Sequence, residues 1–163
     1  MGKGTTFDLY FPRTQQPISK VEPIPAAPPP DEGKETILLV DDEPMLLTLG
    51  KAIIGRQGYQ VLTARDGREA VDIYKKSSDK IDLVLLDLTM PNLSGRDAFR
   101  LMREINPGVG VLFASGYSSE SVTDHEHRDA LGFVSKPYSP AVLLHAVQTA
   151  LTKKKNRTAA APA

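Results

Sequence analysis

The chain has 163 residues, 20 basic and 20 acidic side chains, and no cysteine. That length suits one ordinary domain with tails, and the balanced charge supplies no bulk field for nucleic acid or an anionic membrane. The missing thiols exclude disulfides, thiolate metal sites and cysteine nucleophiles. No apolar run approaches the ~20 residues of a membrane span, and the start Met1-Gly2-Lys3-Gly4-Thr5-Thr6 lacks the apolar core of a signal peptide. A cytoplasmic protein is expected.

Residues 1–11 end in the strand-like run Thr6-Phe7-Asp8-Leu9-Tyr10-Phe11. Residues 12–34 contain seven prolines, among them Pro28-Pro29-Pro30. Proline lacks a backbone donor and fixes φ, so an extended linker is expected here. It would span ~30 Å as flexible coil or ~70 Å as polyproline II. Residues 35–153 carry the globular pattern, and the tail 154–163, with nothing to bury, is expected to be disordered.

Within the globular part, strand and helix patterns alternate. Thr36–Val40 is a continuously apolar strand, as when both faces of a sheet are covered. Pro44 opens a helix whose expected apolar stripe is Leu46, Leu49, Ile53 and their neighbours, with Gly58 at its end. Tyr59–Ala64 reads as strand. Asp66-Gly67 turns into a helix burying Ala70, Val71, Ile73 and Tyr74. Leu83–Leu86 is a third strand, followed by a loop from Met90 to Gly95 and a helix through Phe99, Leu101, Met102 and Ile105. Val109–Ala114 is strand four. A polar helix is expected over 119–130, a fifth strand at Gly132–Ser135, and an apolar last helix at Ala141–Leu151. Five β-α units in sequence argue for a doubly wound α/β fold with a parallel sheet. Ligands of such sheets sit outside the carboxyl ends of the strands.

Four landmarks fall at those ends. Asp41-Asp42 follows the first strand, Asp87 the third, Ser115 the fourth and Lys136-Pro137 the fifth. Three carboxylates, a hydroxyl and an ammonium in one crevice suit a divalent metal and phosphoryl transfer to a carboxylate. Like charges ~4 Å apart repel by roughly 4 kcal/mol at an effective dielectric of 20, and carboxylate oxygens relieve this with a hard cation such as Mg²⁺.

The pattern Val40-Asp41-Asp42-Glu43-Pro44, Leu86-Asp87-Leu88-Thr89-Met90-Pro91-Asn92-Leu93-Ser94-Gly95, Ala114-Ser115-Gly116 and Lys136-Pro137 resembles the receiver domain of two-component response regulators over about residues 36–151. The resemblance implies a flavodoxin-like five-stranded sheet of order 2-1-3-4-5 with helices on both faces. It implies Mg²⁺-dependent transfer of a phosphoryl group from a kinase phosphohistidine to Asp87, with Mn²⁺ able to substitute. Asp42 and Asp87 would ligate the metal directly, Asp41 through water, and the Thr89 backbone carbonyl would complete the protein ligands. Lys136 would pair with Asp87 and the phosphoryl oxygens, aimed by a cis bond to Pro137. Ser115 would move toward the phosphate and Phe133 turn inward, although plain core packing accounts for Phe133 nearly as well. Thr89, Gly116 and Tyr117 would flank the mouth. The surface formed by the 119–130 helix, strand five and the last helix would switch.

The N-terminal run Gly2-Lys3-Gly4-Thr5-Thr6-Phe7-Asp8-Leu9-Tyr10-Phe11-Pro12 is similar to the closing segment of a histidine-kinase ATPase domain. This implies the C-terminal receiver of a hybrid sensor histidine kinase, whose parent chain can be membrane-anchored. Its partners would be the kinase core, in cis or in trans, and a histidine phosphotransfer protein. A phosphorylation-independent binding adaptor is the alternative, opposed by the complete residue set. An aspartate-nucleophile phosphohydrolase commonly needs a second aspartate two residues after the nucleophile, and Thr89 stands there. The run Lys153–Lys155 with Arg157 reads as a solubilising helix end favoured by the dipole.

Overall fold

The computed structural model describes residues 35–116 and 129–159, together with Gly4, Thr5, Phe7, Asp8 and Tyr10. The proline-rich segment, Tyr117 and all but the end of the expected 119–130 helix lie outside the described residues. Gly4, Thr5, Phe7, Asp8 and Tyr10 belong to no strand, and Phe7 and Tyr10 are exposed.

Five parallel strands form one sheet: β1 (Thr36–Val40), β2 (Gln60–Ala64), β3 (Leu83–Asp87), β4 (Val111–Ser115) and β5 (Gly132–Ser135), in the order 2-1-3-4-5. Among the described residues α1 (Pro44–Gly55), α2 (Gly67–Ser77) and α3 (Gly95–Ile105) are followed by a C-terminal helix over Pro140–Ala159. Side chains alternate across a strand, so β1 sends Leu38 and Val40 to one core and Ile37 and Leu39 to the other. The first core joins them to Tyr74 of α2, Phe99 and Met102 of α3 and Phe113 of β4. The second joins Leu47 and Ile54 of α1 to Leu143, Val147 and Leu151 of the C-terminal helix. This is the three-layer arrangement expected from the sequence.

Two helix starts are capped by the residues just before them. Asp66 accepts from Glu69 N at 2.8 Å while Glu69 accepts from Arg65 N at 2.8 Å, and Ser94 accepts from Asp97 N at 3.2 Å. Each satisfies donors that the first helical turn leaves unpaired.

Two expectations are corrected. The buried stripe of α1 centres on Leu47, Gly50 and Ile54, the neighbours of the named Leu46, Leu49 and Ile53, and Leu49 is 52% exposed. The helix rolls because Gly50 lies against Leu39, where an added Cβ would stand 2.8 Å from Cδ2. The last helix also continues past Leu151 to Ala159. Lys153 Nζ donates to Leu131 O at 3.1 Å, Lys154 Nζ to Asp82 O at 2.6 Å, and Arg157 to Ala130 O at 3.4 Å. Lys155 pairs with Glu35 at 2.9 Å. The basic run therefore fastens the helix to the amino-terminal edge of the sheet, and residues 154–159 are not the disordered tail expected.

Candidate functional site

Strand register builds the site. Val40 pairs with Leu86, which brings the next residues, Asp41 and Asp87, side by side at the carboxyl edge. Asp87 pairs with Ala114, and Ser115 with Ser135, so Ser115 and Lys136 emerge one step further along the same edge. One carboxylate oxygen from each of Asp41, Asp42 and Asp87 lies within 4.8 Å of the others. Asp41 and Asp87 are buried and Asp42 is exposed.

Lys136 bridges the two buried acids, with Nζ 2.6 Å from Asp41 Oδ2 and 2.7 Å from Asp87 Oδ2. Burial pulls the ammonium toward its neutral form, but the hydrogen bonds to Asp41 and Asp87 outweigh this and hold it above the usual lysine value. The remaining oxygens are used locally: Asp41 Oδ1 accepts from Glu43 N at 3.0 Å, and Asp87 Oδ1 accepts from Thr89 N at 3.1 Å. The Lys136–Pro137 bond is cis, and Lys136 N donates to Ser115 O at 2.7 Å, tying strands four and five together beside the ammonium.

Ser115 is buried at the same edge, and Thr89 and Gly116 are exposed beside it. Among the described residues nothing lies within 4 Å of a Cβ placed on Gly116. Phe133 is set back from the edge, its ring stacked on Phe113 at 5.4 Å and 29°, while Phe113 meets Phe99 edge-on at 5.4 Å. Tyr117 lies outside the described residues.

The sequence reading missed three contributors. Gly95 sits so close to β3 that a Cβ would stand 2.0 Å from Asp87 O. Asp66 Oδ2 accepts from Asn92 Nδ2 at 3.3 Å, joining the loop before α2 to the loop before α3, and Asn92 has φ 66°. The Tyr138 hydroxyl is held above its usual value chiefly by burial, opposed by the charge of Lys136 and reinforced by Asp41 and Asp87. Its place two residues after Lys136 was the available signal.

Residues 37–148 match the family model described as response regulator receiver domain. The chain belongs to that family. The receiver is 31% identical to the sensor kinase CckA of Brucella abortus over 162 aligned residues, which cover 94% of this chain and 17% of that protein. It is 34% identical to the chemotaxis protein CheY of Thermotoga maritima, covering 68% of this chain and 92% of CheY. A solved structure of the response regulator TrrA from Thermotoga maritima, in complex with Mg²⁺ and BeF, superposes with a TM-score of 0.62 at 31% identity, over 71% of this chain and 98% of TrrA. A receiver of two-component signalling has the doubly wound sheet and the acidic carboxyl edge seen here. The all-oxygen cluster of Asp41, Asp42 and Asp87 fits a hard divalent cation. Among the described residues no helix is long and apolar enough to cross a membrane.

Proposed function

We propose that Asp87 is the phospho-acceptor of this receiver, taking the phosphoryl group from a kinase phosphohistidine. The observation that carries this is the convergence of Asp41, Asp42 and Asp87 around the ammonium of Lys136. The Asp87 carboxylate attacks phosphorus, the bond from phosphorus to the histidine nitrogen breaks, and an acyl phosphate remains. Such transfer is mostly positioning and charge stabilisation. Lys136, already fixed at the carboxylate, meets the added phosphoryl charge, and the buried Ser115 hydroxyl stands ready to turn toward it. Asp42, Asp87 and the Thr89 carbonyl would hold Mg²⁺, or Mn²⁺ in its place, with Asp41 acting through water. The ion supplies charge neutralisation for the attacking carboxylate and the transferred group. Phe133, packed on Phe113 and only partly buried, would change its rotamer when Ser115 moves. Thr89, Gly116 and Tyr117 set the access of water to the acyl phosphate.

The wider setting is a hybrid sensor histidine kinase, with residues 1–11 closing an ATPase domain, residues 12–34 as linker and the receiver at the C-terminal side. What supports it is an alignment with CckA that runs well beyond the 37–148 receiver match. The partners are then the kinase core and a histidine phosphotransfer protein, in the cytoplasm. The test is incubation with Mg²⁺ and acetyl phosphate followed by intact mass. A phosphoryl increment that disappears in Asp87→Asn is expected; no increment, or one that persists in Asp87→Asn, overturns the reading.

A further inference from the structure

We infer that Asp66 and Asn92 are positioning residues for the divalent cation, an inference that rests on the reading of Asp87 and the Thr89 carbonyl as its ligands. Neither residue belongs to the acidic cluster. They act on the loop between β3 and α3, which carries Thr89.

That loop is fixed at its ends and at Thr89. Gly95 N donates to Leu88 O at 3.2 Å, which closes the segment 89–94. Thr89 N donates to Asp87 Oδ1 at 3.1 Å, and the next residue, Met90, is buried. Further along, Leu93 N donates to Pro91 O at 2.8 Å across Asn92, whose φ is 66°. A hydrogen bond between residues two apart, around a central residue of positive φ, marks the rare and strained form of γ-turn. Asparagine is one of the few residues that accept a positive φ. Strain of this kind persists only where the surroundings fix it.

Here the surroundings belong to the start of α2. Asn92 Nδ2 donates to Asp66 Oδ2 at 3.3 Å, while Asp66 Oδ1 accepts from Glu69 N at 2.8 Å. An ionised carboxylate can only accept, so the asparagine must present its amide nitrogen. Gly67 lies against the next residue of the turn, where an added Cβ would stand 2.4 Å from Leu93 O. Asp66 is the N-cap of α2 and Gly67 its first residue. The first turn of α2 is thus a fixed body, and the strained turn at Asn92 is fastened to it. Without that fastening the loop keeps its ends but loses what sets its middle. Residues that orient a ligand from behind strengthen metal binding in this way.

A turn that only closes the fold would affect stability and leave metal affinity alone. Asn92→Gly separates the two roles, because glycine adopts positive φ without steric cost while the bond to Asp66 is lost. The test is calorimetric titration of the full chain with Mg²⁺ at ~0.15 M salt, where exposed charges are largely screened. Asn92→Gly is expected to weaken Mg²⁺ binding about threefold, less than the roughly 10–100-fold seen for a group bonded directly to a ligand. The urea midpoint without metal should move little. In metal-free protein the Thr89 amide should exchange with solvent about threefold faster. Asp66→Ser keeps a cap oxygen but has no second oxygen for Asn92. Adding Asn92→Gly to it should weaken Mg²⁺ no further, since two residues that act through one bond are not additive. Wild-type Mg²⁺ affinity in Asn92→Gly overturns the proposal, and an additive loss in the double variant overturns the pairing with Asp66. A wild-type chain that binds no Mg²⁺ overturns instead the metal reading beneath it, so the two failures are told apart.

Discussion

Lys136 Nζ stands closer to Asp41 than to the candidate nucleophile, at 2.6 Å from Oδ2 of a residue only 2% exposed. One ammonium among three carboxylates leaves two negative charges uncompensated, which is the charge of one divalent cation. Removing one partner of a buried ion pair strands the others, at a cost on the order of 3 kcal/mol. Lys136→Met is therefore expected to lose about that much stability without metal, and Mg²⁺ should restore a larger share than it adds to the wild type. Urea unfolding with and without Mg²⁺ measures both. Phosphate incorporation from acetyl phosphate should fall about a hundredfold, the typical cost of deleting one fixed group that stabilises transition-state charge. A stability loss that Mg²⁺ does not relieve would show that the ammonium and the metal do not share the same charge.

Asp66 gives a pH prediction. Its carboxyl is held below 3.8 chiefly by the Glu69 N–H it accepts, with burial opposing and the Asn92 amide adding. A group whose folded-state pKa is depressed stabilises above its unfolded value and loses that contribution as pH falls through the folded one. Wild type should therefore lose stability from its Asp66 cap as pH drops below 3.8. Asp66→Asn keeps a cap acceptor but has no proton to gain, so its melting temperature should fall less steeply over the same range. Parallel declines in thermal scans would remove the cap from the acid response.

The strands were legible because apolar runs bounded by turn residues recurred along the chain, continuous in the central strands that are buried on both faces, and the carboxyl-edge landmarks followed from strand order. What stayed hidden depended on contacts without a local signature. Seven apolar residues from Met45 to Ile54 left the rotation of α1 ambiguous, and the fit of Gly50 against Leu39 decides it. The Lys136–Asp41 bond spans 95 residues of chain. The basic run at 153–157 read as solvated because its acceptors are backbone carbonyls at distant strand starts. Gly95 read as a turn residue, although its role is to let α3 approach Asp87.

Those distant carbonyls make the end of the C-terminal helix a stability element. Truncation after Thr152 removes the hydrogen bonds of Lys153, Lys154 and Arg157 and the Lys155–Glu35 pair. Charged hydrogen bonds contribute roughly 1.5–3 kcal/mol each when buried, and partial exposure reduces the sum to about 2–3 kcal/mol. For a domain of this size that is a drop of roughly 10 °C in Tm, readable by calorimetry. Truncation after Ala159 should leave Tm unchanged. An equal Tm for the two truncations would mean that the basic side chains are merely solvated.

Gly95→Ala sets two effects against each other. Alanine in a helix is favoured over glycine by about 1 kcal/mol, and Gly95 begins α3. Against this, the new Cβ would stand 2.0 Å from Asp87 O and 2.9 Å from its carbonyl carbon. Both are backbone atoms of a strand buried on two faces, so no side chain can swing aside, and overpacking of this kind costs about 1–3 kcal/mol. The clash should win, with a net loss of roughly 1–2 kcal/mol in urea unfolding. Because relief must come from moving either α3 or Asp87, the acidic cluster should also open. Mg²⁺ affinity, followed by calorimetric titration, is expected to fall about tenfold, as when support for a metal ligand is lost. Gly50→Ala, crowded only by the movable side chain of Leu39, should alter stability without altering Mg²⁺ affinity, which separates a packing defect from displacement of the acids.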